Sequence, residues 1–98
     1  MREKNAQEKN MEKLNISENQ FGVGKAEFST GIVLKNDGSY YLSDVEVEDV
    51  YEVFETYQTA KEFVISKVQN NPKIECWIIN SKNETVFYYD QDGERKLA

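Results

Sequence analysis

One segment of the 98-residue chain has the full spacing of an amphipathic helix, and it limits the fold more than any other feature. From Tyr57 to Val68 the apolar residues recur at three- and four-residue intervals, which predicts one buried stripe on a helix over Tyr57–Asn70. Thr56 is a suitable N-cap. Asn71-Pro72 ends the segment, because proline cannot continue a helix. A single helix can cover only one face of a sheet.

The other apolar runs are short and rich in β-branched and aromatic residues, which favours strands. Phe28–Lys35 and Ser39–Val45 flank Asn36-Asp37-Gly38, and Asp-Gly between two such runs predicts a β-hairpin. The second arm continues to Phe54, with a break in the alternation at Glu48-Asp49 that indicates a turn or bulge.

After the helix come two further strands, Ile74–Asn80 and Thr85–Tyr89, joined by a four-residue turn. The predicted order is β-β-β-α-β-β. Short connections imply antiparallel neighbours. The fold class is therefore α+β: a single domain with an antiparallel sheet of about five strands and one helix packed on one face.

The N-terminal segment differs in composition from the rest. Residues 1–20 contain few apolar side chains, and all twelve aromatic residues lie from Phe21 onward. We predict a flexible N-terminal tail over 1–20 and the α+β domain over 21–98, with Gly22 and Gly24 forming a flexible lead into it. No apolar run suggests a signal peptide or a membrane anchor. The single cysteine, Cys76, can form no internal disulfide, which suits a reducing compartment and a cytoplasmic protein.

Residue types argue against catalysis and against a metal. The chain has no histidine, so Ser-His and Cys-His pairs cannot form, and zinc sites are disfavoured. Cys76 lies in the most apolar strand, where an inert packed thiol is expected. The segment Asp90–Glu94 resembles part of a calcium loop but lacks the glutamate required at the twelfth position, so a plain turn is expected. We expect no enzyme activity, no cofactor and no metal.

The net charge of −6 is concentrated in residues 44–62, where Lys61 is the one basic residue. An acidic patch repels phosphate backbones and attracts basic protein surfaces. Direct nucleic-acid binding is therefore disfavoured, although Tyr40-Tyr41 and Phe87-Tyr88-Tyr89, with Trp77 nearby, could form a stacking platform. Such platforms combine rings with lysine and arginine, which are few here.

From Tyr51 onward, a strand ending at Phe54, a short helix, Asn71-Pro72 and a β-hairpin follow one another. This layout and charge, over residues 28–90, resemble the small acidic immunity proteins with which bacteria neutralise secreted toxins. The resemblance implies stoichiometric inhibition of a basic protein, such as a toxin or a nucleic-acid-binding enzyme. A phage-encoded inhibitor with a face that mimics nucleic acid would look equally similar.

The candidate partner-binding surface consists of six acidic residues and one aromatic anchor. They are Asp44, Glu46, Glu48, Asp49, Tyr51, Glu52 and Glu55. Two other interpretations stay open. The acids could be a solvated face or an edge strand protected by charge, or the chain could be a structural module that self-associates through a sheet edge. Both a monomer and a homodimer are compatible with the sequence.

Overall fold

The computed structural model describes residues 13–41 and 46–97. These residues form six strands, one α-helix and one turn of 3₁₀ helix. The elements are β1 Phe21–Glu27, β2 Val33–Leu34, the 3₁₀ turn Val47–Asp49, β3 Glu52–Phe54, α1 Tyr57–Asn70, β4 Ile74–Ile79, β5 Thr85–Asp90 and β6 Gly93–Glu94. All strand pairs are antiparallel, so the predicted α+β class is confirmed.

Strand β1 lies inside the sheet. One edge of β1 pairs with β4 from Gly22↔Ile79 to Glu27↔Ile74, and β5 and β6 continue the sheet beyond β4. The other edge is shared: Lys25-Ala26 pair with β2, and 21–23 pair with β3. Because β2 and β3 share one edge of β1, the six strands occupy five positions across the sheet.

The prediction for this part of the chain was wrong in one respect, because Phe21–Glu27 is a strand and not a flexible lead. Glycines weaken a strand when it is judged by propensity. Here the surrounding side chains pack so closely over Gly22 and Gly24 that glycine is required. The predicted strand Phe28–Lys35 shrinks to β2, because the chain turns directly after β1, where the Gly31 N–H donates to the Glu27 carbonyl at 2.7 Å.

The predicted turn at Asn36-Asp37-Gly38 is present. The Lys35 N–H donates to the Ser39 carbonyl at 2.7 Å, and Gly38 has a φ of 92°. Within the described residues, the two arms of this hairpin pair only at the isolated bridge between Leu34 and Tyr40. Residues 42–45 lie outside the described residues. The turn or bulge predicted at Glu48-Asp49 is present as the 3₁₀ turn Val47–Asp49, and a strand resumes at Glu52.

Helix α1 has the bounds that the sequence predicts, and the Thr56 hydroxyl accepts a hydrogen bond from the Thr59 N–H at 3.1 Å. Its buried stripe packs on one face of the sheet, which we call the helix face. The stripe and the sheet residues beneath it are Ala60, Val64, Val68, Val23, Leu34, Ile74, Cys76, Ile78 and Phe87. No helix in the described part of the chain is long and apolar enough to cross a membrane.

The packed region begins before Phe21. Leu14 is 4 % exposed and contacts Val47 and Ile79. The Leu14 N–H donates to Asn83 Oδ1 at 2.8 Å, and Asn83 Nδ2 donates to the Leu14 carbonyl at 2.9 Å. The part of the predicted tail that is described, 13–20, is thus attached to the domain at Leu14. Residues 1–12 lie outside the described residues.

Candidate functional site

The second face of the sheet, which we call the aromatic face, carries Gly22, Gly24, Trp77 and Tyr88. A Cβ atom on Gly24 would lie 2.6 Å from Trp77 Cζ2 and 2.9 Å from Tyr51 Cε1. A Cβ on Gly22 would lie 2.7 Å from Leu14 Cδ2. The two glycines therefore leave the space in which these larger side chains lie close against β1.

Three rings follow one another across this face. Tyr51 meets Trp77 edge to face, with ring centroids 6.3 Å apart, and Trp77 Nε1 donates to the Tyr51 hydroxyl at 3.3 Å. Trp77 and Tyr88 are nearly parallel, at 6.3 Å and 16°. The guanidinium carbon of Arg95 lies 4.2 Å from the Tyr88 ring centroid, within cation–π distance.

Two buried carboxylates share that guanidinium. Asp90 is 5 % exposed and lies 2.6 Å from Arg95 Nη2, whereas Glu75 is 8 % exposed and lies 3.6 Å from the same atom. Burial and a hydrogen bond with Glu75 raise the pKa of Tyr88 to about 12, so its phenol stays neutral and donates. The hydrogen bond with Asp90 raises the pKa of Arg95 above its ordinary value, so the guanidinium stays charged.

A shallow groove of about 290 Å³ opens on the aromatic face. Its walls are apolar and aromatic, and Glu75 contributes a carboxylate. The lining residues are Ala26, Gly31, Val33, Glu75, Trp77, Thr85 and Tyr88. A groove of this kind can hold an elongated side chain that is apolar along its length and positively charged at its end.

Beside the groove, the aromatic face is covered by the cluster of Leu14, Val47 and Ile79, with Tyr51 and Trp77 packed against it. Val47 is 6 % exposed, so it fixes the 3₁₀ turn to the sheet. Tyr51 and Trp77 therefore lie between the 3₁₀ turn and the groove.

Three of the predicted site residues lie together on that turn. Glu46, Glu48 and Asp49 are exposed, and we call this segment the acidic turn. Among the described residues, none of the three forms an ion pair, since the pairs found there all involve Arg95. The chemistry of three outward carboxylates is attraction of a cationic surface.

The acidic turn is held from below by Asn36. The Asn36 N–H donates to the Asp49 carbonyl at 2.6 Å, and Asn36 Nδ2 donates to the carbonyls of Glu48 and Tyr51, each at 3.3 Å. A cavity of about 220 Å³ beside it is lined by Lys35, Asn36, Asp37 and Asp49, so one lysine partly offsets the acidic charge. The backbone of the acidic turn is therefore fixed by hydrogen bonds from Asn36.

The remaining predicted residues are placed elsewhere. Glu52 pairs in register with Val23, which puts the Glu52 side chain on the helix face. Burial lowers the pKa of Lys25 below its ordinary value, and the charge of Glu52 opposes part of that shift. Glu55 is exposed and accepts a hydrogen bond from Gln20 Nε2 at 2.9 Å. Tyr51 is half-buried, and burial raises its pKa. Asp44 lies outside the described residues.

The sequence prediction missed Glu75 and Arg95 of the aromatic face, and it considered Trp77 and Tyr88 only as part of a disfavoured stacking platform. A signal was present in the alternation of Ile74–Ile79, where Glu75 and Trp77 share one face and Cys76 and Ile78 share the other. The Gly22 and Gly24 spacing of two gave a second signal, because both glycines must then lie on the same face.

The thiol and the predicted calcium-like segment have structural surroundings. Cys76 is fully buried on the helix face, and burial raises its pKa to about 12, so it is a poor nucleophile at neutral pH. Asp90–Glu94 forms the β5–β6 hairpin, where one Asp90 oxygen accepts from the Asp92 N–H at 2.8 Å and the other binds Arg95. No group of three or more potential metal ligands occurs in residues 13–41 and 46–97.

Comparison with known proteins gave no match: no family model fits the chain, and neither a curated protein nor a solved structure is significantly similar to it.

Proposed function

We propose that the chain is a protein-binding domain that receives a basic surface of a partner on its acidic turn, and that it acts as a stoichiometric inhibitor of the immunity type. The observation that carries the proposal is the fixed presentation of Glu46, Glu48 and Asp49. All three point to solvent from a turn clamped by Asn36 and anchored by buried Val47. A cytoplasmic location belongs to the same proposal.

Fixed exposed carboxylates suit recognition better than folding. Surface charges contribute little to stability, typically about 0–1 kcal/mol each. They act at longer range on a partner, steering association and setting orientation. Because Tyr51 is half-buried against Trp77, its part in binding is chiefly to support the surface, and Glu52 and Glu55 contribute only to the overall negative field.

Self-association through a sheet edge is the less favoured alternative. The described edges are short: β2 has two residues, β3 has three, and β6 has two, which leaves residues 85–87 of β5 without a paired strand on that side. Short edges expose few backbone groups to a second copy of the sheet. An inhibitor that mimics nucleic acid would use the same acidic turn, and the identity of its partner would distinguish it.

The test compares two triple charge reversals. Glu46→Lys, Glu48→Lys and Asp49→Lys change the acidic turn, whereas Glu18→Lys, Glu62→Lys and Glu94→Lys change the net charge equally at other exposed positions. The wild type is used to isolate partners, and candidates encoded beside its gene are tested directly. We expect the partner to bind wild type and control variant but to associate much more slowly with the turn variant.

Inhibition of that partner should saturate at a fixed molar ratio. Equal association rates for the two triple variants would contradict the role of the acidic turn. Turnover of a substrate by this chain at sub-stoichiometric amounts would contradict the inhibitor proposal.

A further inference from the structure

We infer that the groove on the aromatic face receives one arginine or lysine side chain of the partner, whose cation packs on Trp77 and pairs with Glu75. This inference rests on the proposed function, since it gives the basic partner a defined side-chain pocket next to the acidic turn.

The aromatic face carries one complete cation site. Arg95 packs on the Tyr88 ring at 4.2 Å and pairs with Asp90 at 2.6 Å, so ring, cation and carboxylate are all present. Trp77 and Glu75 supply a second ring and a second carboxylate beside it. Among the described residues, Arg95 at 3.6 Å is the one cation that pairs with Glu75, and Tyr88 donates a hydrogen bond to the same carboxylate.

Charge complementarity then identifies the occupant. Glu75 and Asp90 carry two negative charges, Arg95 carries one positive charge, and the side chains of Glu75 and Asp90 are only 11 % and 6 % exposed. A buried charge without full compensation is costly, so a cation that enters the groove is stabilised there. Lys25 does not supply it, because it lies opposite Cys76, on the helix face.

The shape of the groove fits a long basic side chain. At about 290 Å³ it lies just below the usual range for small-molecule pockets, and it is shallow. Ala26, Val33 and Thr85 offer surface for the methylene stem, while Trp77 is the ring type that binds cations best. A guanidinium could also pair with the Glu75 carboxylate through two hydrogen bonds.

Trp77 is the single tryptophan of the chain, so its fluorescence reports directly on this groove. The probe is a short peptide of alternating arginine and glycine, and the matched ligand replaces each arginine with citrulline, which keeps the shape without the charge. We expect a saturable change in Trp77 emission with the arginine peptide and none with the citrulline peptide at the same concentration.

The variant Glu75→Gln keeps a polar group of the same size and removes the charge. It should weaken binding of the arginine peptide by about tenfold or more. The control Asp92→Asn removes one exposed charge of the β5–β6 hairpin and should leave binding nearly unchanged. Thermal unfolding of each variant verifies that the fold is kept.

Four results would overturn the inference. One is equal binding of the citrulline peptide, and another is full binding by Glu75→Gln. The third is peptide binding that appears only after deletion of residues 1–12. That segment contains Arg2, Lys4 and Lys9, and it would then be the occupant of the groove. Saturable quenching by oligothymidylate, with none by the arginine peptide, would likewise reject it in favour of a nucleic-acid platform.

The triple reversal of the acidic turn separates this inference from the proposed function. If that variant associates with the partner at the wild-type rate while Glu75→Gln loses peptide binding, the groove is supported and the role of the turn fails. If the turn variant associates slowly with the partner while Glu75→Gln keeps full peptide binding, the turn is supported and the groove fails.

Discussion

On the helix face the sheet is covered by side chains that fill the space beneath α1. On the aromatic face it is covered by large side chains that lie over the glycines of β1. Val23, Ile78 and Phe87 are each at most 2 % exposed beneath α1. On the opposite side, Gly22 and Gly24 leave β1 bare, so that large side chains lie close against it. The helix face is thus an ordinary apolar core, while the aromatic face depends on close approach to the backbone.

The two faces also differ in polarity. Apart from Lys25, the buried polar groups of the sheet, Glu75 and Asp90, belong to the aromatic face and are connected through Arg95. Because successive residues of a strand point to opposite faces, β4 and β5 each contribute side chains to both faces of the sheet. The apolar core therefore lies on one side of these strands, and the buried polar groups and the groove lie on the other.

The largest effect on stability should come from Phe87, on the helix face of β5. Its neighbour Tyr88, on the aromatic face, is the residue for comparison. We expect Phe87→Ala to lower the free energy of unfolding by about 3–5 kcal/mol, because the side chain is fully packed under α1. Tyr88→Ala should cost clearly less, since that ring is half-buried. Urea unfolding measures both, and similar losses would show that both faces carry the core equally.

Leu14 tests whether the N-terminal cover belongs to the aromatic face. Leu14→Ala should cost about 2–3 kcal/mol, because it removes a buried side chain from above Gly22. Deletion of residues 1–12 leaves Leu14 in place and should cost much less. A thermal midpoint that is unchanged in Leu14→Ala and lowered by the deletion would contradict the observed packing.

Gly24→Ala should destabilise by about 1–3 kcal/mol, because the added methyl group overlaps Trp77 and Tyr51. Trp77 must then move, so its emission maximum should shift in the folded protein. Gly38→Ala is the matched control, since Gly38 has a φ of 92° and open space around its Cα. That variant should lose stability through backbone strain without any change in Trp77 emission.

The helix face could be predicted from the sequence because it obeys simple periodicities. The three-and-four spacing of Tyr57–Asn70 and the apolar run of Ile74–Ile79 each follow from local pattern, and both elements are confirmed. The fold class follows from them, because one helix and short antiparallel connections leave few arrangements.

The aromatic face could not be predicted in the same way. A glycine is favoured in β1 only because Trp77 and Tyr51, which are distant in sequence, pack over it. The acidic residues were all visible in the sequence, but their grouping depends on the 3₁₀ turn, which separates Glu46, Glu48 and Asp49 from Glu52. Contacts between residues that are distant in sequence determine both the need for glycine in β1 and the grouping of the acidic residues. Local propensity does not predict such contacts.

The smallest expected effect concerns alkaline pH, and each face contributes one group. Burial raises the pKa of Cys76 on the helix face from 9.0 to about 12, and burial with the Glu75 hydrogen bond raises that of Tyr88 on the aromatic face from 10.0 to about 12. Above the ordinary pKa the unfolded chain releases these protons while the folded chain retains them. The folded state then binds more protons, so stability falls as pH rises through this window.

Tyr88→Phe should reduce the slope of that fall only between pH 10 and about 12, whereas Cys76→Ala should reduce it from pH 9 upward. The tyrosine effect should be the weaker one, because Tyr88 is half-buried and solvent screens its surroundings, while Cys76 is fully buried. Urea unfolding at a series of alkaline pH values, with each variant compared to wild type, measures both slopes. If Tyr88→Phe follows the wild-type slope throughout, the Glu75–Tyr88 hydrogen bond does not hold in solution, and Glu75 would be freer to bind a cation than the structure indicates.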